Sequence, residues 1–320
     1  MNYALLIDNL TNPALLFFAL GILAVRLKSD LEIPPNSSKF ISLYLLFSIG
    51  FKGGQELTHS HFTMTIIWSV LFGIAIACII PLYTFFILKR KLNIEDAGAV
   101  AAAYGSVSAV TFVTASSFLD IQQISFNGHM VAVMALMEAP AIVIRVILIR
   151  MYGQKKDGSA KIKNIMSHSF TNGSVLLILG SLVIGLLASD QQALGIKPFT
   201  TDIFKGFLAI FLLDMGIVSG RNLNDFFKNG KLMALFAIII PLVNGCVVAL
   251  LSSIITSDIG DRFIFAVLAA SASYIAVPAA MKIAAPKANP GIFLPMALAI
   301  TFPFNITIGL PVYLSLINAF

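Results

Sequence analysis

From Pro13 onward the sequence is a succession of apolar stretches, each about 20 residues long, parted by short polar breaks. A helix of about 20 apolar residues spans the hydrocarbon core of a bilayer, and no soluble core can hide so many of them. Only 11% of the residues are charged and mean hydropathy is +0.93, against about 25% charged residues in ordinary soluble domains. Such a composition cannot clothe a soluble exterior, so the sequence predicts an all-α integral membrane protein.

The polar breaks delimit ten expected spans: 13–27, 38–55, 64–88, 94–118, 128–151, 173–189, 203–220, 231–256, 262–285 and 291–317. The longest loop, 152–172, carries "GQKKDGSAKIKN" and reads as a cytoplasmic linker between two halves, 1–151 and 173–320. Sixteen of the 21 Lys and Arg residues fall in the loops after spans 1, 3, 5, 7 and 9. Lys52, Lys197, Lys205 and Arg262 fall on the other face, and Arg145 lies within a span. The positive-inside rule then places both termini on the outer side of the plasma (inner) membrane. The same bias accounts for the net charge of +6 without a nucleic-acid partner. "MNYALLIDNL" has no basic n-region, so the first run is expected to remain as a span. Cys78 and Cys246 sit in apolar runs with neither disulfide nor zinc spacing. His59-Ser60-His61 reads as a solvated outer loop. Without a nucleotide loop, dinucleotide fingerprint or catalytic constellation, neither an enzyme nor a bound cofactor is expected.

The two halves echo one another. "NPALLFFALGILAVRL" resembles "NGSVLLILGSLVIGLL" 160 residues on, and "LLFSIGFKGG" resembles "FLLDMGIVSG" 166 on. Ser106-Val107-Ser108 matches Ser271-Ala272-Ser273 at 165, and "MEAPAIVI" matches "ITFPFNIT" at 163. Five spans per half is an odd number, so the second copy enters from the opposite side. The expected fold is thus a 5+5 inverted repeat, an organisation used by secondary transporters.

Spans 4 and 9 are weakened at matching places, by "AYGSVSAVTFVTASS" (103–117) and "AASASYIAVPAAMKIAAP" (269–286), each with serines and a helix breaker, Gly105 or Pro278. A broken helix is tolerated at membrane depth only inside protein or against a cavity. The break frees N–H donors at a half-helix N-terminus, suited to an anion, and carbonyls suited to Na⁺. Candidate anion ligands are Gly105, Ser106, Val107, Ser108, Ser271, Ala272, Ser273 and Tyr274; candidate Na⁺ ligands are Gly105, Ser108, Thr111, Ser271 and Asn305. The bland alternative is close packing of small residues. Glu138 and Arg145, seven apart, are a candidate structural pair, and Asp214 is a further intramembrane charge.

"LEIPPNSSKFISLYLLFSIGFKGG", the span 4 serines, "LMEAP" and "SYIAVPAAMKIAAPKANPGIFLPMALAITFPFNITIGLP" resemble the sodium-dependent bicarbonate transporter family, best known from cyanobacteria. The resemblance implies a homotrimer of ten-span inverted repeats, with spans 1, 2, 6 and 7 as scaffold and spans 3–5 and 8–10 as a moving core. It implies an anion at the crossing of spans 4 and 9, Na⁺ alongside, and a trimeric nitrogen-regulator-type signalling protein as a cytoplasmic partner. The chain departs from the family pattern: Tyr274 stands where an Asp is usual, and Ala272, Ala276 and Val277 where serines and a Gly are usual. Ala109 and Val110 replace a Gly and a Ser, and the linker is short. The expected function is Na⁺-coupled import of a small anion, bicarbonate, by an elevator movement. The alternatives are an organic-acid carrier coupled to protons or Na⁺, and a membrane sensor that binds without transporting.

Overall fold

A computed structural model describes residues 7, 9–58, 63–152, 173–228, 231–274 and 288–320. The His59-Ser60-His61 loop, the 152–172 linker beyond Tyr152 and the Pro278 segment lie outside the described residues, as does the side chain of Arg145. All regular structure among the described residues is helical. The helices are α1 (Pro13–Arg26), α2 (Pro35–Thr58), α3 (Met64–Leu88), α4 (Ile94–Gly105), α5 (Ala109–Ile121) and α6 (His129–Tyr152). They continue as α7 (Gly173–Leu187), α8 (Asp190–Lys197), α9 (Phe204–Lys228), α10 (Lys231–Leu251), α11 (Ile259–Ala270) and α12 (Gly291–Ile317).

Helix thus occurs in each expected apolar segment, and among the described residues five stretches are long and apolar enough to cross a membrane. These are Met64–Leu88, Ile94–Ile121, Asp190–Asn222, Leu232–Ile254 and Gly291–Ile317, with shorter apolar helices at Pro13–Arg26, His129–Glu138 and Val175–Leu187. Burial ranks them. In its apolar 18-residue window 89% of the residues of Ile94–Ile121 are buried, against 39% in Met64–Leu88 and in Leu232–Ile254, which turn Trp68, Leu71, Ile79, Leu235 and Val243 outward. An apolar helix with an apolar exposed face is stable against lipid, not water, so α4 and α5 lie at the centre and α3 and α10 at the periphery.

Local chemistry sets several boundaries. Asn12 caps α1 through the Ala14 N–H at 3.0 Å, with Pro13 in the first turn where its missing N–H costs nothing. α12 contains two π turns, Met296–Thr301 and Asn305–Gly309, on either side of Phe302–Phe304. Widened turns loosen the carbonyl ladder, and side chains from elsewhere complete it. The Ser219 hydroxyl donates to Leu298 O at 2.8 Å, and the Asn9 amide donates to Ile306 O at 2.8 Å and Thr307 O at 3.1 Å.

Two crossings organise one side of the molecule: α1 packs on α9, and α2 packs on α7. Each is closed to backbone contact by a pair of glycines. A Cβ at Gly21 would stand 2.3 Å from Leu213 O, and one at Gly216 would stand 2.1 Å from Phe18 O. At the other crossing, a Cβ at Gly54 would stand 2.1 Å from Leu182 O, and one at Gly185 would stand 2.2 Å from Phe51 O. With no hydrophobic effect between helices in lipid, such close approach is what holds them together. On the other side α3 packs against α4 and α6, while α10 packs against α11 and α12.

Gly54→Ala is therefore expected to lower stability by about 1–3 kcal/mol, because neither backbone can retreat without opening the crossing. Gly180→Ala, on α7 where a Cβ meets no atom within 4 Å, is expected to leave stability unchanged or raise it by about 0.5–1 kcal/mol. Thermal unfolding of the detergent-solubilised variants measures both.

Candidate functional site

The span 4 segment breaks where the sequence suggested. α4 ends at Gly105, Ser106 turns extended (φ −90°, ψ 150°), and α5 starts at Ala109. The span 9 segment breaks at Ser271 (φ −81°, ψ 162°), ahead of Pro278. Its helix therefore stops at the serines and not at the proline.

The half-helices before the breaks are built alike. Both α4 and α11 have 12 residues. Asn93 caps α4 by accepting from Asp96 N, and Asp258 caps α11 by accepting from Asp261 N, each at 2.8 Å. Each first-turn Asp then reaches into the opposite half. Asp96 Oδ1 accepts from Asn289 N at 2.7 Å, and Asp261 accepts from Asn127 N and Nδ2 at 2.8 and 2.9 Å. The 165-residue offset of the serines therefore holds also for the caps and the aspartates.

The two breaks satisfy one another. The Ser108 N–H donates to Ser271 Oγ at 3.0 Å, the Ser271 hydroxyl donates to Leu268 O at 2.8 Å, and the Ser273 N–H donates to Ala103 O at 2.7 Å. Ser108 Oγ also caps α5 by accepting from Thr111 N at 3.2 Å. The Asn305 amide donates to Ala270 O at 2.7 Å, while its Oδ1 accepts from the Tyr313 hydroxyl at 3.0 Å. An interior with no water must supply these partners itself.

A small cavity of about 30 Å³ opens beside the breaks. Val107, Ser108, Ala109, Ser273 and Tyr274 line it from the two breaks, Met134, Ala135 and Glu138 from α6, and Leu46 and Ile178 from α2 and α7. Of the residues singled out from sequence, the structure gathers Val107, Ser108, Ser273, Tyr274 and Glu138 at this cavity. Ser106, Thr111, Ser271 and Ala272 are buried close by in the break region, without lining it. Gly105 packs against Pro81, whose Cδ would lie 2.5 Å from an added Cβ. Asn305 supports the end of α11, and Asp214 accepts a hydrogen bond from the Ser38 hydroxyl. Arg145 belongs to α6, but its contacts fall outside the described side chains.

Two participants were not legible as such. Helix geometry leaves the first N–H groups of α5, at Ala109 and Val110, without intrahelical acceptors, since Ser108 Oγ takes Thr111 N and Ser108 O takes Phe112 N. Ala109 lines the cavity, and no partner for these backbone donors occurs among the described residues, as suits an anion-binding helix start. Nothing in an alanine's identity signals that role. Glu138 was read as one member of an intrahelical pair, and only the packing of α6 beside both breaks brings it to the cavity.

A wider cleft follows the same seam towards the end where α5 finishes and α6 begins. Lys52 and Gln55 of α2 and Lys197 of α8 face Asp120 of α5 and Val131 of α6 across it. Among the described residues no group of His, Cys, Asp and Glu is arranged to hold a transition-type metal ion.

Helical structure throughout the described residues, apolar outer faces, and a most buried stretch that is interrupted and completed by the end of a second buried helix together have the organisation of a membrane carrier. The family model of the Na⁺-dependent bicarbonate transporter superfamily matches residues 13–318, nearly the whole chain, and the chain belongs to that superfamily. It is accordingly a transporter of the bicarbonate-carrying class, an integral membrane protein and not an enzyme. Among curated proteins no sequence matches it.

Ser271→Ala should cost about 1–3 kcal/mol in the ligand-free protein, because it strands the buried Ser108 N–H. Ser106→Ala should cost little, since the Ser106 hydroxyl has no hydrogen-bond partner among the described residues. Denaturation of the two variants side by side in one detergent checks the contrast.

Proposed function

We propose that the chain is a secondary active transporter that imports bicarbonate with Na⁺ by elevator-type alternating access. The observation that carries this reading is the pairing of two broken half-helices around a cavity lined also by α2 and α7. Free N–H groups at Ala109 and Val110, with the Ser108 and Ser273 hydroxyls, hold the anion. Na⁺ binds beside it and offsets its charge during movement through a low-dielectric barrier. The cavity suits an ion of a few atoms better than a larger organic acid, which favours bicarbonate.

The full architecture is a ten-span 5+5 inverted repeat. Its support is the matched offsets of the caps, aspartates and serines, and the glycine crossings, where Gly21 answers Gly185 and Gly54 answers Gly216. The scaffold comprises α1, α2, α7 and α9, locked by those crossings, and three copies associate through it. The core comprises α3 to α6 and α10 to α12, with the described start of span 9 in α11, and slides against the scaffold. By the positive-inside rule, the cleft at Lys52 and Lys197 opens to the outside, so this conformation faces outward. One Na⁺ per bicarbonate is electroneutral, and a tenfold Na⁺ gradient then supplies about 1.4 kcal/mol.

Uptake of labelled bicarbonate into proteoliposomes, corrected for leak through protein-free vesicles, should rise with an inward Na⁺ gradient. A Ser108→Ala, Ser273→Ala double variant should lose at least about tenfold, as expected for two lost hydrogen bonds to a charged ligand. Uptake by folded protein that is indifferent to Na⁺ sinks the coupling. Stronger competition by small carboxylates than by unlabelled bicarbonate sinks the cargo, and saturable binding without flux identifies a sensor.

A further inference from the structure

The cavity poses an electrostatic problem that the anion site alone does not solve. Glu138 lines the same small space as Ser108, Ala109 and Ser273, where the anion is placed. A carboxylate and a bicarbonate repel strongly in surroundings as apolar as Leu46, Met134 and Ile178. Nothing described on α6 relieves this. The side chain of Arg145, seven residues on, lies outside the described residues. No salt bridge to Glu138 occurs among the described residues.

A second observation points to a cation. Tyr274 lines this cavity, only 8% exposed, and its hydroxyl has no hydrogen-bond partner among the described residues. It lies near the Ser108 side chain without reaching hydrogen-bonding geometry. Buried hydroxyls are almost always partnered, so its oxygen lone pairs await a ligand. A carboxylate with neutral hydroxyl oxygens is the donor set of a hard cation.

We propose that Glu138 is the seat of the coupling cation: its carboxylate, with the Tyr274 and Ser108 hydroxyl oxygens, forms a Na⁺ site that must fill before bicarbonate binds. This rests on the transport reading for the anion, and it places the cation on α6, away from the carbonyls at Gly105 and Ser271. Tyr274, which replaces the family's usual carboxylate, then contributes a neutral oxygen beside a charge supplied from another helix. Ordered binding follows because the empty site is negative. The anion meets repulsion until Na⁺ neutralises Glu138, and attraction afterwards.

The test is thermal stabilisation of the purified protein by NaCl against choline chloride at equal ionic strength, followed by bicarbonate titration with and without Na⁺. Wild type should show saturable stabilisation by Na⁺ alone, and a bicarbonate response only with Na⁺ present. Glu138→Gln should abolish the Na⁺ response and let bicarbonate stabilise without Na⁺. Glu138→Asp should keep the order of binding with half-saturating Na⁺ raised about tenfold, and Tyr274→Phe should raise it severalfold, as for loss or lengthening of one ligand contact. These two variants keep the carboxylate charge and carry the test should Glu138→Gln fail to fold. A wild-type Na⁺ midpoint in Glu138→Gln, or in both conservative variants, overturns the proposal, as does wild-type bicarbonate binding of equal strength without Na⁺. Absence of wild-type bicarbonate flux sinks the transport reading while a Na⁺ response lost in Glu138→Gln still stands. Na⁺-driven flux with an unaltered Na⁺ midpoint in Glu138→Gln sinks the cation site alone.

Discussion

Two interrupted backbones, each unable to complete its own hydrogen bonds, complete each other at the centre of this protein. The Ser108 N–H finds Ser271 Oγ, and the Ser273 N–H finds Ala103 O. In a medium without water, an unmade backbone hydrogen bond costs several kcal/mol, so neither break is tolerable without the other. The breaks are consequently one unit. Shifting α4 and α5 relative to α11 would separate both pairs, whereas shifting all of them together against α2 and α7 disturbs neither.

The remaining structure divides along that line. Around the breaks the contacts are polar and long-range in sequence: Asp96 with the Asn289 loop, Asp261 with the Asn127 loop, and Asn305 with the end of α11. The first two tie a half-helix to a segment from the other half of the chain, and the third ties α12 to α11. On the opposite side the contacts are backbone on backbone, through Gly21 with Gly216 and Gly54 with Gly185. Contacts that close allow little sliding, because carbonyls leave no side chain to rearrange. A polar, mutually tethered unit therefore faces a stiff, glycine-locked one, and the cavity lies where they meet.

That location also explains the mixed chemistry of the site. Backbone donors at the start of α5 favour negative charge, while Glu138 and the unpartnered Tyr274 hydroxyl favour positive charge. Neither ion alone suits a space so small and so apolar. Together they cancel, which is the condition for moving either through a membrane interior. Coupling in this view is a consequence of desolvation and not of a separate device.

Much of this was readable in the sequence. The length and spacing of the apolar runs predicted membrane helices, since hydrocarbon thickness dictates about 20 residues per span. The serine pairs at an offset of 165 located the breaks, because small hydroxyl residues beside Gly105 weaken a helix wherever they stand. Other features were beyond sequence reasoning. Pro278 looked like the breaker in the second segment, yet the helix stops at Ser271, because the partner for an extended backbone there is supplied by α4 and not by local sequence. Asn305 stood out as a polar residue beside Pro303, and nothing local foretold that its amide donates to Ala270 O, a carbonyl 35 residues away. Glu138 stood out in the sequence as an intramembrane charge, and only the packing of α6 brings it to the cavity. Local pattern determined which segments enter the membrane and where they weaken, since those depend on hydrophobicity and backbone propensity alone. Which groups meet at the breaks was decided only by tertiary structure, because the acceptors and charges that complete them come from helices distant in the chain.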